Sequence, residues 1–135
     1  GSMSAHLTVS SDAEDTSFTV QVMEVLPDGR AFNIRDGITS LRLRNGSPAP
    51  LSYVPGEKAA ATVGLWPIVW TVKRGSRLRV DVSSSNFPAY HAHPNLAGIW
   101  SLQEKTKVAR QTVYVGEGAE TWLDVPVAEE GGEGV

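Results

Sequence analysis

Two histidines stand two apart in Tyr90-His91-Ala92-His93. On an extended backbone that spacing turns both rings to one side, as a metal pair requires. No third ligand follows at a useful spacing. Asp81, the nearest carboxylate upstream, has a place as an outward strand residue. A surface loop is the expected reading, with no metal site. Glu117 and Glu120, or Glu129 and Glu130, could pair for acid–base work, but carboxylates on turns and tails are usually solvated, and a glycosidase pair needs a cleft. Asp12, Glu14 and Asp15 are oxygen donors of the kind calcium takes. Their spacing fits no calcium loop, so a solvated acidic loop is expected. His6 stands alone and receives no role.

Nucleophilic chemistry is poorly served. A nucleophile elbow needs G-x-S-x-G, because its sharp turn exposes the serine hydroxyl. None occurs; Asn45-Gly46-Ser47 and Arg74-Gly75-Ser76 place Ser beside Gly with the wrong flanks, and Ser83-Ser84-Ser85 is only a serine run. There is no cysteine, which removes disulfides, thiolate metal sites and a cysteine nucleophile together. Gly116-Glu117-Gly118 lacks the third glycine of a dinucleotide loop. Asn45-Gly46-Ser47 fits a glycosylation sequon, a triplet common by chance. No cofactor is expected.

Four tryptophans carry more information. Large aromatics anchor cores, protein interfaces or sugars. Core packing is the expectation for Trp66 and Trp70, which flank Pro67-Ile68-Val69, with Trp66 a weaker surface candidate. Trp100 falls in a long loop. Trp122 sits on the polar side of its strand's alternation and is the first suspect for a surface that a partner domain covers.

The elements that must position these residues follow a period of two. Phe18, Val20 and Val22, then Leu41 and Leu43, then Leu78, Val80 and Val82, then Val113 and Val115, then Leu123, Val125 and Val127 alternate with more polar neighbours. Alternate side chains lie on opposite faces of a strand, so each run has one buried face. The predicted strands lie near 6–10, 17–25, 29–33, 38–45, 57–65, 76–84, 110–115 and 119–127. Pro27-Asp28-Gly29, Asp36-Gly37, Asn45-Gly46, Pro55-Gly56 and Arg74-Gly75 supply turns, and Gly116-Glu117-Gly118 is expected to join the last two strands as a hairpin. The stretch 99–109 allows at most one helical turn. The segment 85–109 is long for a connection, and long loops in compact domains often bind something.

The fold class is therefore all-β, an antiparallel sandwich in one domain over 4–127. Residues 1–3 read as an expression scar and 128–135 as a disordered acidic, glycine-rich tail. The formal net charge of -3 argues against a nucleic-acid partner. No apolar run reaches the roughly 18 residues of a membrane span. The compartment stays open, with the cytoplasm as the working expectation.

Several segments in order then form a pattern. Ser10-Ser11-Asp12-Ala13-Glu14-Asp15-Thr16-Ser17-Phe18-Thr19-Val20 leads to Pro27-Asp28-Gly29-Arg30-Ala31 and Asp36-Gly37-Ile38. Pro55-Gly56-Glu57, Leu65-Trp66-Pro67, Gly75-Ser76-Arg77-Leu78-Arg79-Val80, Ser83-Ser84-Ser85-Asn86-Phe87-Pro88, Pro94-Asn95 and Ala109-Arg110-Gln111-Thr112-Val113-Tyr114 follow. From about residue 7 to 127 the series resembles the C-terminal domain of the X-Pro dipeptidyl-peptidase, cocaine esterase and α-amino acid ester hydrolase family. The resemblance implies a jelly-roll sandwich, similar to galactose-binding folds, packed on an α/β hydrolase domain that carries a Ser-Asp-His triad. It also implies that no triad member lies in this segment. The family's sandwich begins earlier, with further strands, whereas only His6-Leu7-Thr8-Val9-Ser10 precedes the acidic loop here. An exposed sheet edge would then invite self-association.

Three functions follow as expectations. The first is a non-catalytic domain of a serine hydrolase, with Asn86, Phe87, Tyr90 and Trp100 meeting the α/β hydrolase domain, and Trp66 and Trp122 as weaker surface candidates. The second is a carbohydrate- or ligand-binding jelly-roll module. The third is a stand-alone enzyme, which no catalytic residue supports.

Overall fold

The structure, a computed structural model, describes residues 1–128. Most of the expected tail, 129–135, lies outside the described residues. Strands form at β1 (Ser4–Ser11), β2 (Ser17–Val25), β3 (Ala31–Ser40), β4 (Ala59–Gly64), β5 (Arg77–Ser83), β6 (Gln111–Tyr114) and β7 (Trp122–Asp124), with 3-10 turns at Arg44–Gly46 and Trp100–Leu102. One sheet runs β4-β1-β6, with β7 also paired to β1; the other runs β3-β2-β5. Every pairing is antiparallel.

Period two decides which faces meet. Ala5, Leu7 and Val9 of β1 pack with Phe18, Val20 and Val22 of β2 and with Ala61 and Val63 of β4, and Leu41, Tyr53 and Leu65 complete this core. The fold is an all-β sandwich of two antiparallel sheets. Met3 belongs to its core, and Leu65 N–H donates to the Met3 carbonyl. Gly1 and Ile68 exchange backbone hydrogen bonds at 3.0 Å. Residues 1–3, set apart in the sequence reading, thus pack with the domain.

The expected break between strands at 29–33 and 38–45 does not occur. Asp36-Gly37 has turn chemistry, but β3 runs through it from Ala31 to Ser40. Gly37 serves close approach instead. A Cβ there would lie 2.5 Å from the Gly64 carbonyl oxygen and 3.0 Å from Val63 Cγ1. β3 and β4 therefore close one side of the sandwich. The register of β2 on β3 shifts between Val22 and Met23, which leaves Ile34 as the extra residue of a bulge. The alternation of Leu41 and Leu43 does not continue as a strand. Leu41 is buried, and the chain then turns through Asn45 at φ 61°.

The expected hairpin at Gly116-Glu117-Gly118 is also replaced. β4 occupies one edge of β1, and β6 and β7 follow each other along the opposite edge: Tyr114 pairs with Thr8, and Trp122 with His6. They act as one strand from which 115–121 is looped out. Thr121 closes the loop, its side-chain oxygen accepting from Thr8 N–H and its hydroxyl donating to the Tyr114 carbonyl. β7 is shorter than the predicted 119–127.

The segment 65–73 carries the chain from β4 to β5 across the end of the sandwich. Trp66 is 75% exposed and Trp70 half-exposed, so the expected core packing fails for both. The anchor is Glu24, a buried carboxylate on the core side of β2. It accepts the Trp70 indole N–H and the Lys73 backbone N–H, both at 2.8 Å. Those donors, the Lys73 amide foremost, hold its carboxyl below the ordinary glutamate range despite the cost of desolvation.

Candidate functional site

After Ser83 the chain leaves β5, crosses the outer face of the β3-β2-β5 sheet, and returns to β6. Asp36, on the outer face of β3, fixes this loop. Its carboxylate accepts the Asn86 amide at 3.3 Å and the Tyr90 hydroxyl at 3.4 Å. Burial and then the Asp36 charge push the Tyr90 hydroxyl up from its ordinary value. Asn86 and Tyr90 thus secure the loop from within. Phe87, between them in sequence, is 73% exposed. Trp100 opens the second 3-10 turn.

The loop reaches its second anchor at His93. The expectation of a surface histidine does not hold for His93, nor that of a solvated residue for Asp15: the His93 side chain is only 10% exposed, and Asp15 is buried at 4%. The alternation of surface and core could not foretell this, because the partners lie far apart in sequence. His93 Nδ1 accepts the Asn95 backbone N–H at 2.8 Å. Nε2 then carries the proton and donates to Asp15 at 3.2 Å. Asp15 also accepts the backbone N–H groups of Thr16 and Arg42, each at 3.0 Å. Both imidazole nitrogens are committed to holding chain segments together. The pair resembles an acid–base dyad in residue types only, since a general base needs a free nitrogen facing substrate.

Between this loop and the 38–50 segment lies an open groove of about 1060 Å³. Ile38, Leu43, Pro50, Tyr90, His91 and Ile99 give it a largely apolar lining. Asp15, Arg42 and His93 stand at its wall.

A second polar hub lies on the outer face of the other sheet, around His6. Asp124 Oδ2 lies 2.8 Å from its Nε2, and Ser4 Oγ lies 3.2 Å from the same nitrogen. Thr62 Oγ1 approaches Nδ1 at 3.3 Å, and Trp122 stacks on the ring at 4.4 Å. Ser, His and Asp are the residue types of a hydrolase triad, but the geometry is not one. A triad splits hydroxyl and carboxylate between the two nitrogens. Here Ser4 and Asp124 compete for one, the hydroxyl at the other belongs to Thr62, and none of Ser4, His6 and Asp124 lines the groove. The hub ties β1, β4 and β7 together. Sequence reasoning gave His6 no role, because Thr62, Trp122 and Asp124 come from strands more than fifty residues away. Trp122 is 48% exposed on this outer face, where its polar-side position in the alternation put it.

The six candidate residues therefore do not form one site. Asn86, Phe87, Tyr90 and Trp100 belong to the loop, Trp66 to the end segment, and Trp122 to the opposite sheet. Asp15 stands at the groove wall and Asp36 holds Tyr90 in its lining, and sequence reasoning missed both as site residues.

The fold defines the class, an antiparallel two-sheet β-sandwich module, in which Ser4, His6 and Asp124, and Asp15 with His93, hold strands and loops together. The chain belongs to the family described as X-Pro dipeptidyl-peptidase C-terminal non-catalytic domain, whose model matches residues 1–124. It is 34% identical over 120 residues to cocaine esterase from Rhodococcus sp. (strain MB1 Bresler), covering 89% of this chain and 21% of that protein. Among solved structures it is similar to an α-amino acid ester hydrolase labelled with selenomethionine, at TM-score 0.84 and 26% identity over 95% of this chain and 23% of that one. It is also similar to an aminopeptidase from a marine sediment Thaumarchaeota archaeon, at TM-score 0.77 and 25% identity, covering 84% of this chain and 21% of that one. The chain spans between a fifth and a quarter of the length of each of these relatives.

Proposed function

We propose that this chain is the jelly-roll module of a serine hydrolase, bracing an α/β hydrolase domain and walling its active-site entrance. The parent would cleave an ester or an Xaa-Pro amide through an acyl-enzyme. The order in which the chain visits the sheets supports the jelly-roll, galactose-binding-like type. β1 lies in one sheet, β2 and β3 in the other, β4 returns, β5 crosses again, and β6 and β7 cross back.

The observation that carries the docking role is the loop 85–99. It is fixed from within by Asp36 and Asp15, yet presents Phe87 and Ile99 to solvent beside an apolar groove. A surface that is rigid before binding loses little conformational entropy when a partner covers it. Trp100 belongs to the same loop, and Trp66 is a second exposed aromatic away from it.

The test is the reading frame upstream of Met3. An α/β hydrolase domain with a G-x-S-x-G elbow running in frame into residue 4 is the expected result. In that joined protein, Phe87→Asp should loosen the two halves and reduce hydrolysis of a nitrophenyl ester. A stop codon and ribosome site directly before Met3 would contradict the proposal.

A second reading, carbohydrate binding, draws on Trp122 alone, half-exposed and stacked on His6. A thermal-shift panel of sugars tests it: a saturable shift lost in Trp122→Ala supports it, and no shift with any sugar removes it.

A further inference from the structure

The side of the sandwich opposite β3 and β4 is open. β5 is the edge of its sheet, and among the described residues no backbone hydrogen bond reaches its outer edge. Its register on β2 sets Val82 beside Val20, Val80 beside Val22 and Leu78 beside Glu24. Cross-strand neighbours share a face, so Leu78, Val80 and Val82 look toward the core. Val20 and Val22 are fully buried there, but Leu78 and Val80 are 44% and 42% exposed. Val113 and Leu123, which pair with core residues of β1 in the facing sheet, are only partly buried as well. An apolar seam is thus left uncovered along a free strand edge.

We propose that the occupant of this edge is a second copy of the chain, joined to the first antiparallel along Arg77–Ser83 about a two-fold axis at Val80. The two three-stranded sheets would become one continuous sheet with its apolar face on one side.

The strand's own sequence selects that register. Centring the axis on Val80 sets Arg79 opposite Asp81 of the second copy, twice by symmetry, and Leu78 opposite Val82. Centring it on Arg79 sets two arginines face to face, and centring it on Asp81 sets two aspartates. Like charges directly opposite are destabilising. A shift by one residue would turn the apolar row to the polar face, which the seam forbids. Arg79 and Asp81 already pair within each copy, with Nε to Oδ1 at 2.8 Å on the outer face. They therefore stand on the face where the joint would bring each opposite the other copy's partner.

Sedimentation velocity of the whole chain over rising concentration tests this. The expected species is a dimer in equilibrium with the 14.5 kDa monomer. Asp81→Arg should weaken association about tenfold or more, because it sets like charges opposite each other twice. The double variant Arg79→Asp with Asp81→Arg reverses both charges and should return the affinity to within about threefold of the original. Far-UV circular dichroism of each variant at low concentration confirms that the monomer is folded. Three results would overturn the proposal. One is a monomer at every concentration up to about 1 mM. Another is a dimer indifferent to Asp81→Arg. The last is a double variant as weak as the single one.

Discussion

The two long sides of this sandwich use the same alternating pattern and reach opposite ends. On one side, β3 and β4 approach so closely that Gly37 has no room for a side chain, and Val63 is fully buried. On the other, Leu78 and Val80 of β5 alternate as regularly as the residues of β1, yet stay nearly half in water. Alternation states which face of a strand is apolar. It does not state whether a second layer lies over that face. On the closed side β4 of the same chain covers β3; on the other, β6 and β7 leave Val113 and Leu123 only partly buried.

The largest effect should come from removing the clearance on the closed side. Gly37→Val would drive side-chain atoms into the Gly64 carbonyl and is expected to destabilise the chain by about 3 kcal/mol or to prevent folding, measured by urea unfolding. A soluble, two-state variant with an unchanged midpoint would mean that the closed side yields freely.

A matched pair sharpens the comparison. Leu7 is 3% exposed and Leu78 is 44% exposed. At low protein concentration Leu7→Ala should lose about 3 kcal/mol and Leu78→Ala about 1 kcal/mol or less. Equal losses would show that β5 is as well covered as β1.

The end of the sandwich should respond to acid through Glu24. Its carboxyl is held below the ordinary 4.5, so its stabilising contribution is present above that value. The contribution fades as pH falls below 4.5 toward the lowered folded value. Glu24→Gln should be less stable than the original at neutral pH, and the gap should narrow as pH falls below 4.5. A constant gap across that range would show that the charge at Glu24 contributes nothing.

The smallest effect belongs to the loop. Tyr90 is held above 10.0 by burial and by Asp36, so its stabilising contribution is whole below pH 10.0 and is lost as pH rises through the folded value. Asp36→Asn should lower the ionisation of one tyrosine toward 10.0 in an ultraviolet titration, with little change in the unfolding midpoint.

Legibility in the sequence followed locality. Strands β1, β2, β5 and β6 lie where period two places them, because the signal needs only neighbouring residues. Asp36-Gly37 misled, since the glycine that favours a turn also permits close approach of two backbones, and only the opposite sheet distinguishes these uses. Gly116-Glu117-Gly118 misled likewise: the loop it belongs to returns to the strand edge it left, and the pairing partner lies a hundred residues earlier. Trp66 and Trp70 were expected inside because they are large and apolar. Trp70 is held by Glu24, a buried acid that no periodicity marks, and Trp66 stands 75% exposed. The groove was the least legible part, because the links of Asp15 to His93 and of Asp36 to Asn86 and Tyr90 span fifty or more residues.

Amide hydrogen exchange followed residue by residue by NMR tests the contrast between the two sides most directly. At low concentration, amides of β1 and β2, which have strands on both sides, should exchange only with global unfolding. Alternate amides of β5, those on its free edge, should exchange orders of magnitude faster. Protection across the whole of β5 equal to that of β1 under the same conditions would contradict an open side.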